Sequence, residues 1–118
     1  MILLDATVNG KPASLLLDTG ADATILSPQA SGLSTVKLRA LTANKTTGTN
    51  GEYVKSRVDL RLAEGHWIER EILVMDLSDV SKRMGTQIDG FIGADVLREF
   101  SAVRIDFKKQ VLELESAQ

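Results

Sequence analysis

Apolar side chains recur along this chain in short runs and in strict alternation, and both patterns are typical of β-strands. Residues 2–8 (ILLDATV) are rich in apolar and β-branched side chains and lead into Asn9-Gly10, a dipeptide that favours a two-residue hairpin turn. The run ASLLLD at 13–18 reads as the return strand. The sequence therefore predicts an opening β-hairpin whose second strand delivers Asp18.

The middle of the chain also predicts strands. Residues 34–41 and 53–62 alternate apolar and polar side chains, and the polar, glycine-containing stretch between them predicts a long hairpin with an exposed tip. Other segments are interpreted as a short strand at 23–27, a loop at 28–32, a turn at 64–67, a strand at 68–77, a polar connection with room for a helical turn at 78–87, and two strands within 103–115 joined at 108–110.

A helix is predicted at 95–100 (DVLREF), with Asp95 as its N-cap. The expected fold class is therefore mostly β. With 118 residues, of which 43% are hydrophobic, the chain is long enough to bury a core of its own, and we expect one domain over residues 1–118.

Composition excludes several kinds of function. The net charge is only -2, so no basic surface points to nucleic acid. The absence of cysteine removes disulfides, thiolate metal sites and cysteine nucleophiles, and the single histidine, His66, makes a Ser-His-Asp triad or a histidine-based zinc site a poor hypothesis.

No run approaches the roughly 18 apolar residues of a membrane span, and the N-terminus lacks the pattern of a signal peptide. The sequence indicates a soluble domain with no membrane contact. Because a strand is predicted from residue 2, the domain fits equally well as a piece of a longer secreted, periplasmic or membrane-tethered parent, and its localisation is left open.

Two stretches of the sequence echo each other. LLLDTGADATIL at 15–26 and IDGFIGADVLREF at 88–100 each run from an apolar strand through glycine and an Ala-Asp pair to further apolar residues. Such an echo suits a pseudo-symmetric domain with two similar lobes.

The first stretch resembles the active-site strand and loop of the retropepsin-like aspartic proteases, in which Asp-Thr-Gly-Ala carries the catalytic carboxylate. The second resembles the same family's second half-motif, and DGFIGADVLREFSAVRIDFKKQVLELE is similar to the bacterial single-domain aspartyl proteases. The resemblance covers nearly the whole chain. It implies a closed, mostly antiparallel β-barrel of retropepsin (acid protease) type with one short C-terminal helix, and an aspartic endopeptidase that needs no metal and no cofactor.

The resemblance also implies roles for individual residues. The catalytic motif is Asp18, Thr19 and Gly20, and the tip at 45–52 corresponds to the flap that closes over substrate. The residues expected to line the substrate are Ala21, Asp22, Thr47, Gly48, Thr49, Gly51 and Ile92. The partners implied are a peptide or protein substrate and a second copy of the chain.

The chemistry explains why a second copy is expected. Hydrolysis of an amide without metal or covalent intermediate needs one group to accept a proton from water and another to donate one. Two carboxylates that share one proton do both, and the aspartic proteases are themselves the standard example of this sharing. The chain supplies one Asp-Thr-Gly, and Asp89 lies in a different context, so a twofold-symmetric homodimer that pairs Asp18 with its counterpart is predicted.

The sequence departs from the retroviral pattern in two places. Retroviral members commonly place an arginine directly after the second-motif glycine, where this chain has Ala94, so Asp22 loses that partner unless Arg98 or Arg83 replaces it. The chain also has almost nothing before its first hairpin, so a dimer sheet is expected to use the C-terminal hairpin. Two alternatives stay open: a non-catalytic retropepsin-like domain that dimerises or binds peptide, and an unrelated β-barrel binding module.

Overall fold

The computed structural model of the protein describes residues 2–33 and 53–116. These residues form the strands β1 Leu3–Val8, β2 Lys11–Leu17, β3 Ile25–Leu26, β4 Val54–Leu62, β5 Gly65–Val74, β6 Gly90–Ile92, β7 Phe100–Asp106 and β8 Val111–Ser116. Three short helices lie within the same two residue ranges: α1 Pro28–Ser31, α2 Ser78–Met84 and α3 Ala94–Leu97. The predicted class, mostly β with a short helix near the C-terminus, is confirmed.

Within the described ranges, six strands close into a barrel in the order β1-β2-β6-β3-β5-β4, and β7 and β8 form a separate two-stranded sheet. Most neighbours are antiparallel, but β2 pairs with β6 in parallel and β3 pairs with β5 in parallel. The expected closed barrel is therefore present. In each parallel pair a long connection brings the chain back so that the second strand runs in the same direction as the first. An alternation pattern carries no information about strand direction, so the sequence does not predict these pairs.

The opening hairpin forms as predicted. Asn9 and Gly10 both have positive φ, 52° and 81°, as a two-residue turn between right-twisted strands requires, and Val8 pairs directly with Lys11. β1 also pairs with β4 on its other side, which places the hairpin inside the barrel wall.

The core fills the barrel with the side chains that the alternation predicted. Val54, Val58, Leu60 and Leu62 of β4 are buried, and they pack with Leu15 of β2 in one apolar cluster. β3 and β6 contribute Leu26 and Ile92 to the same cluster. The hairpin β7–β8 attaches to the core through Val103 and Leu114, and through the edge-to-face contact of Phe100 with Trp67, whose ring centroids lie 5.7 Å apart.

Several predicted boundaries shift. The loop expected at 28–32 contains helix α1, because Ser27 caps it by accepting from the amide of Ala30, Pro28 occupies the first turn and Gly32 ends it with φ 84°. The turn expected at 64–67 lies at 63–64 instead, so His66 and Trp67 belong to β5.

The prediction that Asp95 caps the C-terminal helix is wrong. Helix α3 begins one residue earlier, with Gly93 as its N-cap, and Asp95 lies inside the first turn. The polar connection after β5 contains the helix α2. The strand predicted at 34–41 and the flap tip predicted at 45–52 lie outside the described residues. In the described part of the chain, no helix is long and apolar enough to cross a membrane.

Candidate active site

Strand β6 brings the two sequence motifs together. It lies between β2 and β3, with Leu17 opposite Ile92 on one side and Ile25 opposite Phe91 on the other. Gly90 makes this insertion possible, because a Cβ atom there would lie 2.3 Å from the carbonyl oxygen of Ile25. The carboxyl ends of β2 and β6 therefore lie side by side, and the segment that begins with Asp18 follows one of them.

Asp18 is held at this point by backbone hydrogen bonds. Its amide donates to the carbonyl oxygen of Ile92 (3.1 Å), and its own carbonyl accepts from the amide of Ala21 (3.2 Å). The carboxylate oxygen Oδ1 accepts from the amide of Gly20 at 3.1 Å. The side chain is half-buried. The carboxylate is thus fixed by its own motif and remains reachable by a ligand or a second chain.

The rest of the motif rests on the start of helix α3. The amide of Ala94 donates to the carbonyl oxygen of Ala21 (2.8 Å), and the amide of Asp95 donates to that of Asp22 (3.2 Å). Gly93 permits this approach, because a Cβ atom at that position would lie 2.6 Å from the carbonyl oxygen of Ala23. The second-motif glycine therefore has a defined steric reason.

A polar cluster that the sequence pattern does not predict lies directly beneath the motif. Thr24 is fully buried; its hydroxyl donates to Oδ1 of Asp95 (2.8 Å) and accepts from the amide of Gly93 (3.1 Å). Arg70 reaches the same place from β5 and donates to the carbonyl oxygen of Asp95 at 3.1 Å. A charged side chain on an alternating strand is expected to face solvent. The contact of Arg70 with Asp95 is therefore predictable only when the register of the strand is known.

The predicted site residues fall into three groups. Asp18, Thr19, Gly20, Ala21 and Asp22 form one continuous segment in which Thr19, Gly20 and Asp22 are exposed. The Ile92 side chain is fully buried, and its carbonyl oxygen supports Asp18 from beneath. Direct contact of Ile92 with substrate stays a prediction. The flap residues Thr47, Gly48, Thr49 and Gly51 lie outside the described residues.

Neither suggested replacement for the missing arginine pairs with Asp22 in the described structure. Arg98 instead donates from Nε to the carbonyl oxygen of Ala94 (3.2 Å), closing the end of helix α3. No ion pair from Arg83 to Asp22 is present among the described residues. The arginine that braces the second motif comes from β5.

The Asp89 carboxylate joins two strands of the barrel. Its Oδ2 accepts from the amide of Ser14 (2.8 Å) and its Oδ1 from the side-chain amide of Gln87 (3.1 Å), which ties β2 to the entry of β6. Among residues 2–33 and 53–116, no group of three or more histidine, aspartate or glutamate side chains is arranged to hold a metal ion.

Comparison with known proteins is consistent with this geometry. The family model described as aspartyl protease matches residues 4–96. Among solved structures, a retropepsin-like aspartic protease from Rickettsia conorii superposes with a TM-score of 0.61 at 22% identity, covering 89% of this chain and 74% of the other. The retroviral protease-like domain of Ddi1 from Leishmania major superposes at 0.57 with 20% identity, covering 97% and 87%. At these identities the likeness is one of fold, and it confirms the retropepsin-type barrel. No curated protein matches the sequence.

Proposed function

The chain belongs to the aspartyl protease family, and on that premise we propose that it is an aspartic endopeptidase whose active form is a homodimer. The observation that carries the proposal is the placement of Asp18: a half-buried carboxylate at the end of β2, bonded to the Gly20 amide and supported by Ile92. The carboxylate therefore has a fixed position at the end of the strand and is still partly exposed.

The proposed reaction uses Asp18 of each subunit. The ionised carboxylate accepts a proton from a water molecule while the water oxygen bonds to the carbonyl carbon, and the protonated carboxyl donates its proton to the carbonyl oxygen. The resulting tetrahedral diol collapses when one diol hydroxyl gives its proton to the newly ionised carboxylate, the carbon–nitrogen bond breaks and the other carboxyl donates its proton to the amine nitrogen. The products are a carboxylic acid and an amine, so one water is consumed and the shared proton is restored.

The dimer follows from the need for two carboxylates, since each chain offers one Asp-Thr-Gly segment. The hairpin β7–β8 is a two-stranded sheet outside the barrel, and its tip exposes Phe107 and Val111. These two exposed apolar side chains suit an isologous contact with a second copy. Thr19, which follows Asp18 in the catalytic motif, is exposed, and its hydroxyl is proposed to form a hydrogen bond with the same motif of the second subunit.

Substrate is proposed to bind along the exposed side of the motif. The backbone of Ala21 and Asp22 lies next to Asp18. The Asp22 carboxylate is exposed and available to accept a hydrogen bond from a substrate amide. The segment with Thr47, Gly48, Thr49 and Gly51 is proposed to cover the bound peptide as a flap. The proposed ligands are therefore an extended peptide or an unfolded region of a protein.

The test is cleavage of a degenerate peptide library at mildly acidic pH, about 4 to 6. Asp18→Asn is expected to abolish cleavage, and Asp5→Asn, which alters an exposed carboxylate on β1, is the matched control. Cleavage that survives Asp18→Asn rejects the mechanism. Tight peptide binding without cleavage by the wild type supports a non-catalytic binding domain instead.

A subunit-mixing experiment tests the shared dyad. Asp18→Asn protein titrated into a fixed amount of wild type is expected to lower the activity, because mixed dimers contain only one ionisable dyad carboxyl. Asp5→Asn protein added in the same way leaves activity unimpaired. If the inactive variant never inhibits under conditions where labelled subunits exchange, each chain acts alone and the dimeric dyad is refuted.

A further inference from the structure

Strand β5 contains a bulge. Val58 of β4 pairs with Arg70, and the next inward residue of β4, Leu60, pairs with Trp67. One residue of β4 therefore lies opposite two residues of β5, which is the definition of a β-bulge. The second bulge residue, Glu69, has a φ of 55°, the left-handed conformation that side chains other than glycine and asparagine seldom adopt.

The bulge changes the direction in which Arg70 points. Directly paired residues on neighbouring strands share a face of the sheet. Val58 is buried in the core, so its partner Arg70 lies on the inward face, in phase with Ile72 and Val74. Without the extra residue, alternation from Trp67 would turn Arg70 outward. The strained residue thus places an arginine among inward-facing apolar positions.

The inward arginine contacts the helix that supports the candidate catalytic motif. Its Nη2 donates to the carbonyl oxygen of Asp95 (3.1 Å) and lies 3.8 Å from that residue's Oδ2, and its Nη1 pairs with Glu99. The Arg70 and Asp95 side chains are only 24% and 21% exposed. At such exposure an ion pair is screened less than it would be on the open surface.

Asp95 connects Arg70 to the candidate catalytic motif. Its Oδ1 accepts from the buried hydroxyl of Thr24, and that hydroxyl accepts from the amide of Gly93. The Asp95 amide meanwhile donates to the carbonyl oxygen of Asp22. Asp95 therefore links Arg70 to Asp22 and Thr24, two residues of the segment that follows Asp18.

We infer that Arg70 is a positioning residue for the reaction proposed above: through Asp95 and Thr24 it fixes the Asp18 segment against helix α3. Without the guanidinium, the Asp95 carboxylate lies near Glu99 with no cation between them, and both turn toward water. Thr24 then loses its acceptor, and the amide of Gly93 loses the oriented hydroxyl that holds it. This inference rests on the proposed function, because the effect that it predicts is on catalysis.

The kinetic test compares three variants. Arg70→Met keeps the apolar stem and removes the charge, Arg70→Lys keeps the charge, and Arg57→Met removes the same charge from an exposed position on β4. Arg70→Met is expected to lower kcat about tenfold or more with KM nearly unchanged, since displaced catalytic groups slow the chemical step. Arg70→Lys recovers part of this loss, and Arg57→Met matches the wild type.

A second measurement does not depend on activity. Amide hydrogen exchange at Gly93 and Ala94 is expected to accelerate in Arg70→Met and in Thr24→Val, which lacks the hydroxyl, but not in Arg57→Met. Thr24→Ser retains the hydroxyl and is expected to retain the protection, which separates the bond from general packing and keeps the test usable if Arg70→Met folds poorly.

The outcomes separate this inference from the proposed function. Unchanged kcat and unchanged exchange in Arg70→Met, with activity abolished by Asp18→Asn, overturn the role of Arg70 and leave the protease proposal intact. Activity that persists in Asp18→Asn refutes the protease proposal, and loss of protection at Gly93 in Arg70→Met then still supports the positioning role. A fall in thermal stability with wild-type kcat and protection marks Arg70 as merely structural and overturns the inference.

Discussion

The amide of Asp18 donates a hydrogen bond to the carbonyl oxygen of Ile92 across 3.1 Å, joining the start of the first motif to the end of β6. This bond continues the parallel pairing of β2 with β6 by one residue beyond the strand. The candidate catalytic carboxylate is therefore placed by the barrel itself, and rigid elements hold a reactive group more accurately than a free loop does.

Gly93→Ala is expected to destabilise the fold by about 2 kcal/mol, because the new methyl group meets the backbone of Ala23 at 2.6 Å and the backbone has to shift. Gly20→Ala is the matched control for stability, since its Cβ lies 3.5 Å from the Asp18 carboxylate, an ordinary contact. Urea denaturation of the two variants measures the difference. Equal losses in both variants contradict the steric account.

Leu60→Ala is expected to cost about 3 kcal/mol of unfolding free energy, because the side chain has no exposed surface and its removal leaves a cavity in the barrel. Leu3→Ala provides the comparison, since Leu3 is 40% exposed, and a loss below about 1 kcal/mol is expected there. Thermal or chemical unfolding of both variants provides the measurement. If the Leu60 variant is as stable as the Leu3 variant, the burial of Leu60 in the core is contradicted.

The sequence predicted the local elements well where one physical rule decides them. Asn9-Gly10 favours a tight turn whatever surrounds it, and the alternation of Val54, Val58 and Leu60 requires an apolar partner on one face only. The Ser27 cap, the proline and the final glycine of helix α1 are equally local signals, and together they favour a helix over the loop predicted at 28–32.

The sequence did not predict the features that depend on pairing between distant segments. The bulge at Glu69 reverses the phase of β5, so alternation counted from Trp67 puts Arg70 on the wrong face. The parallel pairing of β2 with β6 depends on how long connections return. The polar cluster around Thr24 depends on both the bulge and this parallel pairing. Sequence therefore predicted the candidate motif but missed the residues that support it.

Phe107→Asp is expected to shift the protein from dimer toward monomer, because it replaces an exposed apolar side chain by a charge at the tip of the hairpin proposed to contact the second copy. Ile68→Asp is a close control: Ile68 and Phe107 are both 74% exposed, but Ile68 lies on the barrel strand β5. Sedimentation velocity over a concentration series measures the equilibrium. If Ile68→Asp dissociates the dimer and Phe107→Asp does not, the contact lies on the barrel instead.

Asp22→Ala is expected to raise KM about tenfold while kcat changes little, since the exposed carboxylate is proposed to accept a hydrogen bond from bound substrate in ground and transition states alike. Asp5→Ala removes an equally charged, exposed side chain from β1 and is expected to leave both constants unaltered. A fall in kcat at constant KM would instead assign Asp22 to the positioning of the motif.

Glu69 provides a test of the bulge, because its positive φ is unfavourable for an ordinary side chain and most unfavourable for a β-branched one. Glu69→Val is expected to destabilise the fold by about 1 kcal/mol, whereas Glu69→Gly stays near the wild type, since relief of strain offsets the greater freedom of glycine in the unfolded chain. Urea denaturation checks the stabilities.

Because the bulge turns Arg70 inward, Glu69→Val is also expected to lower kcat, while Glu69→Gly keeps it. A valine variant with the stability and kcat of the glycine variant shows that residue 69 does not need this conformation, and the explanation for the direction of Arg70 then fails.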